Sequence, residues 1–363
     1  MSHKTLKALF TVLCTLVCSI GAVKADQPVI SHVYTADPNA FVFNDRIYII
    51  CSHDLPNQRG YDLYDYELVS TDDLQNWTDH GFVFSVGRGA GPYNQGKTDA
   101  PWAGHCYAPG TAIRDGKVYL YFPDGGSSIG VAVADKPEGP FVPQQHPIRG
   151  SFSIDPCMFK DDDGSIYCFF GGLWGGQLQW WHSLYHGFEA IPGKYGDDNG
   201  LIDLGPAPDH KTQLFAKPDA PAISSAVVRM SDDVLQFAEA PRPVIIVDKD
   251  GKPLKAGDPH RFFEASWMHK YNGKYYFSYS TGDSHYLCYA IGDSPYGPFT
   301  YQGVILEPVI GWTTHHSIVE YKGQWYLFYH DCVPSNDITH LRSLKVQRLY
   351  YNEDGTIKPV INE

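Results

Sequence analysis

The sequence predicts an all-β chain folded as a five-bladed β-propeller, and three observations carry that prediction. The first is a recurring turn. Asn44-Asp45-Arg46-Ile47-Tyr48, Asp115-Gly116-Lys117-Val118-Tyr119, Asp163-Gly164-Ser165-Ile166-Tyr167, Asn272-Gly273-Lys274-Tyr275-Tyr276 and Lys322-Gly323-Gln324-Trp325-Tyr326 share one pattern. Each places a polar pair between two apolar runs, a strong short-range signal for a β-hairpin. The second is spacing. The tyrosines at 48, 119, 167, 276 and 326 lie 71, 48, 109 and 50 residues apart, and the two shortest steps fit a four-stranded blade of ~40–50 residues. The third is that residues 26–363 show no long helical period, heptad or low-complexity linker, so they read as one domain.

The elements follow in order. The first unit is a hairpin around residues 40–50, then a strand and turn over 67–77 leading to an outer strand that ends near Phe84. Its counterpart in the second unit is Gly130-Val131-Ala132-Val133-Ala134-Asp135 followed by Pro137-Glu138-Gly139-Pro140-Phe141. In the fourth unit Leu287-Cys288-Tyr289-Ala290-Ile291-Gly292-Asp293 precedes Pro295-Tyr296-Gly297-Pro298-Phe299. The third unit supplies residues 225–231 and the fifth 344–349, so each unit is expected to hold about four short strands. Long steps mark insertions at 58–66, 87–103 and 173–222, placed on loop tips where pockets are shaped.

Composition bounds the function. A 43% hydrophobic chain of 363 residues can bury a large core, and 14% aromatic suits both strands and surfaces that stack on sugars. Residues 1–25 read as an export signal: Lys4 and Lys7, an apolar run from 8 to 23, and Val23-Lys24-Ala25 as a small-residue cleavage site. The run is shorter than the roughly 20 residues of a membrane span. An exported protein, periplasmic or secreted, is therefore expected. Without that leader 25 basic residues face 41 acidic ones, a net charge of −16. Such a charge repels phosphate backbones and anionic membranes, so nucleic acid is excluded as a partner and a neutral substrate fits. Cys51, Cys106, Cys157, Cys168, Cys288 and Cys332 fall mostly in strand patterns, form no compact framework and have no paired zinc spacing.

Counting back eleven or twelve residues from each tyrosine reaches Asp37, Ala108, Asp155, Glu264 and His315. These are the starts of the innermost strands, which a propeller brings to one mouth. Taken singly, Ala36-Asp37-Pro38 and Ile154-Asp155-Pro156 are ordinary turn signals. The acid in Phe262-Phe263-Glu264-Ala265-Ser266-Trp267 suggests a raised pKa or a salt bridge. Their matching place in the repeat favours a shared site. Hydrolysis of a glycosidic bond needs one carboxyl kept protonated and another ionised. The aromatic setting suits Glu264 as the acid, the polar one suits Asp37 as the base, and Asp155 can raise and orient the acid.

These residues resemble glycoside hydrolase family 43, five-bladed propellers that act on xylans and arabinans. The match rests on Ala36-Asp37-Pro38, Ser153-Ile154-Asp155-Pro156, Phe263-Glu264-Ala265 and His315-His316-Ser317-Ile318-Val319-Glu320-Tyr321, and runs from about residue 30 to the C-terminus. The resemblance implies inversion at the anomeric carbon, with Asp37 as general base, Glu264 as general acid and Asp155 as tuning residue. Inversion places base and acid roughly 6.5–9.5 Å apart. It also implies that His315 touches a calcium ion held largely by water in the central channel, and that Arg342 meets the sugar in the first subsite. For Arg342 a surface salt bridge is the competing reading. One departure is Ala108-Pro109-Gly110, where family members often carry an acid at the third position. Trp102, Tyr107, Trp174 and Trp312 are candidate sugar platforms, whereas Trp325 lies in a strand pattern and reads as core.

The expected function is an exported, inverting exo-glycosidase on hemicellulose oligosaccharides, foremost a β-D-xylosidase acting on xylo-oligosaccharides. α-L-Arabinofuranosidase and then endo-arabinanase are the alternatives within the chemistry. A non-catalytic glycan-binding propeller and a protein-interaction propeller are the alternatives outside it. The first would not need three carboxylates at matching strand starts, and the second would show a large exposed apolar face.

Overall fold

The computed structural model describes residues 27–361, apart from 58–59, 88–97, 152, 173–180, 185–186, 191–217, 220, 223 and 283. The five hairpins become the inner halves of five blades. Blade I is β1 (Tyr34–Phe43), β2 (Arg46–Asp54), β3 (Asp65–Thr71) and β4 (Thr78–Ser85), paired in that order. Blade II repeats the meander with β5 (Gly110–Arg114), β6 (Lys117–Asp124), β7 (Ser128–Ala134) and β8 (Val142–Pro143). Blade III starts with β9 (Cys157–Lys160) and β10 (Ile166–Phe170). A separate hairpin of β11 (Trp181–Leu184) and β12 (Gly187–Ala190) follows, before β13 (Ala226–Arg229) and β14 (Arg242–Pro243) complete the blade. Blade IV is β16 (Phe262–Tyr271), β17 (Lys274–Thr281), β18 (Leu287–Gly292) and β19 (Phe299–Leu306), extended by β15 (Ile246–Val247), which runs parallel to β19. Blade V has three strands rather than the expected four: β20 (His316–Tyr321), β21 (Gln324–Asp331) and β22 (Ser343–Leu349). Its free edge receives one bond from the start of the domain, Val29 N–H to the Leu344 carbonyl at 2.8 Å.

Four of the five inner turns put both central residues in the left-handed region, as at Asn272 (φ 48°) and Gly273 (φ 73°), the pattern of two-residue hairpin turns. The third differs. Asp161–Gly164 forms a four-residue turn that ends on Gly164 at φ 84°, so the shared sequence pattern covers two turn geometries.

The second strand of each blade is buried on both faces, because each blade is sandwiched between two neighbours. Between blades I and II, Ile50, Tyr66 and Phe84 meet Leu120 and Phe122. Between II and III, Tyr121 and Val131 meet Cys168 and Phe170. One cluster spans III, IV and V through Phe169, Phe277 and Leu327. Ile47 and Ile49 then pack on Phe328 and Val346, closing the ring from V to I. All six cysteines of the domain are buried free thiols inside this packing.

Antiparallel pairing sends each inner strand away from the mouth and each second strand back to it. The loops before β1, β5, β9, β16 and β20, and those after β2, β6, β10, β17 and β21, therefore share one end of the molecule. The connections that carry the insertions at 58–66, 87–103 and 173–222 all leave or enter strands at that end.

Candidate active site

Asp37 lies in a β-bulge. Ala36 pairs with Ser52 and Asn39 with Ile50, leaving Asp37 and Pro38 opposite Cys51 alone. The bulged Asp37 takes φ 49°, a conformation that costs a non-glycine residue roughly 1 kcal/mol or more and re-aims its side chain to the axis. Asp155 adopts the same kind of backbone, at φ 58°. In β16 the bulge lies around Glu264, with Ala265 at φ 60°.

These irregularities bring the sequence candidates together. His315 Nδ1 stands 3.8 Å from Asp37 Oδ1 and 3.9 Å from Asp155 Oδ2. Asp155 Oδ2 accepts the Ala265 N–H at 2.8 Å, so it grips the residue after Glu264 directly. Ala108, the fifth strand start, is buried. The missing acid two residues on has a steric reason: a Cβ on Gly110 would sit 2.1 Å from the Pro156 carbonyl oxygen.

Asp37 and Glu264 have opposite electrostatic environments. Burial raises the pKa of Asp37, but the Arg342 guanidinium, with the imidazoles of His315 and His330 facing the carboxyl, outweighs it and holds the group below the usual range. Arg342 Nη1 donates to Asp37 Oδ1 at 2.7 Å. Glu264 keeps a partial opening to the mouth but is ringed by protein. Burial, then the Asp37 charge, pushes it up to about 7 against the pull of Arg342. Asp155 lies well above the usual range, first from burial and then from Glu264 and Asp37. Asp155 and Glu264 stand close enough for each carboxyl to act on the other, and Asp155 also grips the Glu264 segment through the Ala265 N–H. Close packing also positions Glu264. Gly172 (φ 153°) lies so near that a Cβ there would sit 2.7 Å from the Glu264 Cβ.

Arg342 is not a surface salt bridge; it is 2% exposed. Its Nε and Nη2 donate to the two oxygens of Asp54, each at 2.8 Å, and its own backbone N–H reaches Asp54 Oδ2 at 2.8 Å. With Nη1 on Asp37 and on Thr313 Oγ1 (3.2 Å), the guanidinium is a buried clamp on the Asp37 carboxylate. Tyr61, from the first insertion, covers it with its ring 5.0 Å away.

The platform candidates separate. Trp312 stands on the rim, 47% exposed, edge-on to His285. Tyr107 is half-buried at the mouth beside His105. Trp102 is half-buried against the core: its ring packs on Phe122 and its Nε1 donates to the Gln144 carbonyl at 3.1 Å. Trp174 lies outside the described residues. Trp325 packs among His269, Tyr271 and Tyr351, as its strand pattern suggested.

Among the described residues no three His, Cys, Asp or Glu side chains are grouped to hold an ion. His315 is placed to give one ligand. Burial depresses its pKa to about 4 in spite of Asp37, so the imidazole is neutral and keeps a lone pair. A hard cation there would take its other ligands from water.

Sequence reasoning missed Asp54, Thr313 and His330. Asp54 and His330 stand at the ends of second strands, whereas the repeat in the sequence points to the starts of first strands. The signal was present in Tyr48 to Asp54 and Tyr326 to His330 and Asp331, where polar residues close apolar strands.

The fold agrees with the comparisons. The family model for glycosyl hydrolases family 43 matches residues 25–202 and 214–357. A β-xylosidase of Xylanibacter ruminicola is 54% identical over 342 residues, 90% of this chain and 97% of the relative. A xylosidase/arabinosidase of Bacteroides ovatus is 50% identical, covering 89% and 94%. The crystal structure of a GH43 β-xylosidase/α-arabinofuranosidase from a compost microbial metagenome, in complex with xylotriose and in a calcium-free form, superimposes with a TM-score of 0.78 at 48% identity, covering 93% and 97%. This chain belongs to glycosyl hydrolases family 43.

Proposed function

We propose that the protein is an inverting exo-glycosidase that removes xylose from the ends of xylo-oligosaccharides, with α-L-arabinofuranose as a second accepted terminal sugar. The observation that carries the reading is the pair of opposed carboxyls: Asp37 clamped ionised by Arg342, and Glu264 held at about 7. Asp37 would take the proton of a water attacking the anomeric carbon, while Glu264 donates its proton to the departing glycosidic oxygen. Asp155 holds the Glu264 segment through the Ala265 N–H. Exo action is supported by the sequence insertions at 58–66, 87–103 and 173–222, whose connections all lie at the mouth end of the blades. Calcium, proposed as a water-held ion at His315, would supply positive charge near Asp37 and Asp155. A calcium-dependent rise in thermal midpoint, present in the wild type and lost in His315→Ala, checks that site.

The second sugar is favoured by relatives of about 50% identity named xylosidase/arabinosidase. Kinetics on xylobiose and on 4-nitrophenyl β-D-xyloside tests the roles. Asp37→Asn is expected to lower kcat about 10²–10⁴-fold on both substrates. Glu264→Gln is expected to do so on xylobiose but far less on the aryl xyloside, whose leaving group needs no proton. Unchanged kcat in either variant on xylobiose rejects the assignment.

A further inference from the structure

The bulge that aims Asp37 creates a problem that a residue from the adjoining blade, distant in sequence, resolves. With two residues opposite one, the Asp37 N–H has no ladder partner, and Asp37 is only 6% exposed. A buried unpaired amide costs about 1–3 kcal/mol. In this chain the Asp37 N–H donates to His330 Nδ1 at 3.0 Å. His330 is 1% exposed at the end of β21, in blade V. Since its Nδ1 accepts, its proton is on Nε2, which stands 3.1 Å from the Thr313 carbonyl oxygen and 3.1 Å from Thr313 Oγ1. The imidazole is thereby fixed in one tautomer between two backbones. Thr313 also receives Arg342 Nη1 at 3.2 Å and follows the exposed Trp312.

We propose that His330 is a positioning residue for the Asp37 carboxylate: it accepts the bulged Asp37 N–H through Nδ1, holds the base's left-handed backbone, and ties it to the rim through Thr313. The proposal rests on the reading of Asp37 as the water-activating carboxylate. Its chemistry requires an acceptor at the Nδ1 position. Asparagine places its side-chain oxygen near that position. Glutamine places its polar end near Nε2 instead, so it keeps the contact to Thr313 but not the one to Asp37.

The test compares His330→Asn, His330→Gln and Asp37→Asn on xylobiose, with kcat and KM measured separately. His330→Gln is expected to lose about 10²-fold in kcat with KM changed little, because a displacement of about 1 Å at a reacting group has that effect. His330→Asn is expected to regain most of that loss. Equal kcat in the Asn and Gln variants, at any level, overturns the proposal, as does a loss confined to KM. If Asp37→Asn is inactive while both His330 variants match the wild type, the positioning role alone falls. If Asp37→Asn keeps full activity, the parent reading of Asp37 falls with it.

Discussion

At the scale of single residues, the site works by giving chemically similar side chains different surroundings. Asp37 and Glu264 differ by one methylene, yet one has a guanidinium at 2.7 Å and the other is pushed up to about 7. The pH dependence follows with its signs. With the proposed roles, catalysis needs Glu264 protonated, so activity is expected to fall as pH rises through about 7. It needs Asp37 ionised, and since that pKa lies below the ordinary 3.8, the acidic limb is expected below pH 4. A pH profile of kcat/KM on xylobiose checks both limbs. The same shift bears on stability. A carboxyl whose folded pKa is raised contributes fully below its unfolded value of 4.5 and loses that contribution as pH rises through about 7. Glu264→Gln, although catalytically impaired, is therefore expected to have a higher thermal midpoint than wild type at pH 8. Gly172 shows how closely the acid is packed. Gly172→Ala would bring a methyl to 2.7 Å from the Glu264 Cβ, at a φ that disfavours any side chain. It is expected to lower kcat about 10²-fold, measured beside a circular dichroism check of folding.

At the scale of elements, regular strands build the ring and irregular ones build the site. The hairpins were legible because a left-handed turn has a narrow sequence vocabulary, and Asn272-Gly273 or Asp115-Gly116 spells it openly. A bulge has no such vocabulary. Nothing local in Ala36-Asp37-Pro38 says that two residues will face one, so the sequence showed where Asp37 begins a strand but not how its amide would be satisfied. The partners missed, Asp54 and His330, lie 17 and 293 residues away from Asp37 in the chain. Arg342 was legible as a residue near the sugar, but its burial depends on Asp54 meeting it across the seam between blades V and I. Turns and bulges should also differ when substituted. Gly273→Ala, at φ 73° on the end far from the mouth, is expected to cost about 1 kcal/mol and to lower the thermal midpoint while leaving kcat unchanged. A changed kcat would show that the two ends of blade IV are not independent.

At the scale of the whole molecule, the ring is held by packing between blades and by one set of buried imidazoles. His269 and His330 are depressed to about 3, His315 to about 4 and His316 well below 6.5, with burial the first cause in each. A histidine whose folded pKa lies below its unfolded value binds more protons unfolded, so stability falls as pH drops. Loss of stability is expected to begin near pH 6.5 and to continue toward pH 3, measured as denaturation midpoints across that range. The blade repeat and the converging carboxylates could be read from spacing, because a propeller repeats its geometry. The three-stranded fifth blade could not, since its edge is closed by a residue from the other end of the domain. The chemistry of that closed ring is tested most directly by proton NMR of the anomeric signals during the first minutes of xylobiose hydrolysis. A water activated by Asp37 attacks opposite the leaving group, so α-xylose should appear first and convert to the β anomer only by mutarotation. β-Xylose as the first product would mean a covalent intermediate and would contradict the role given to Asp37.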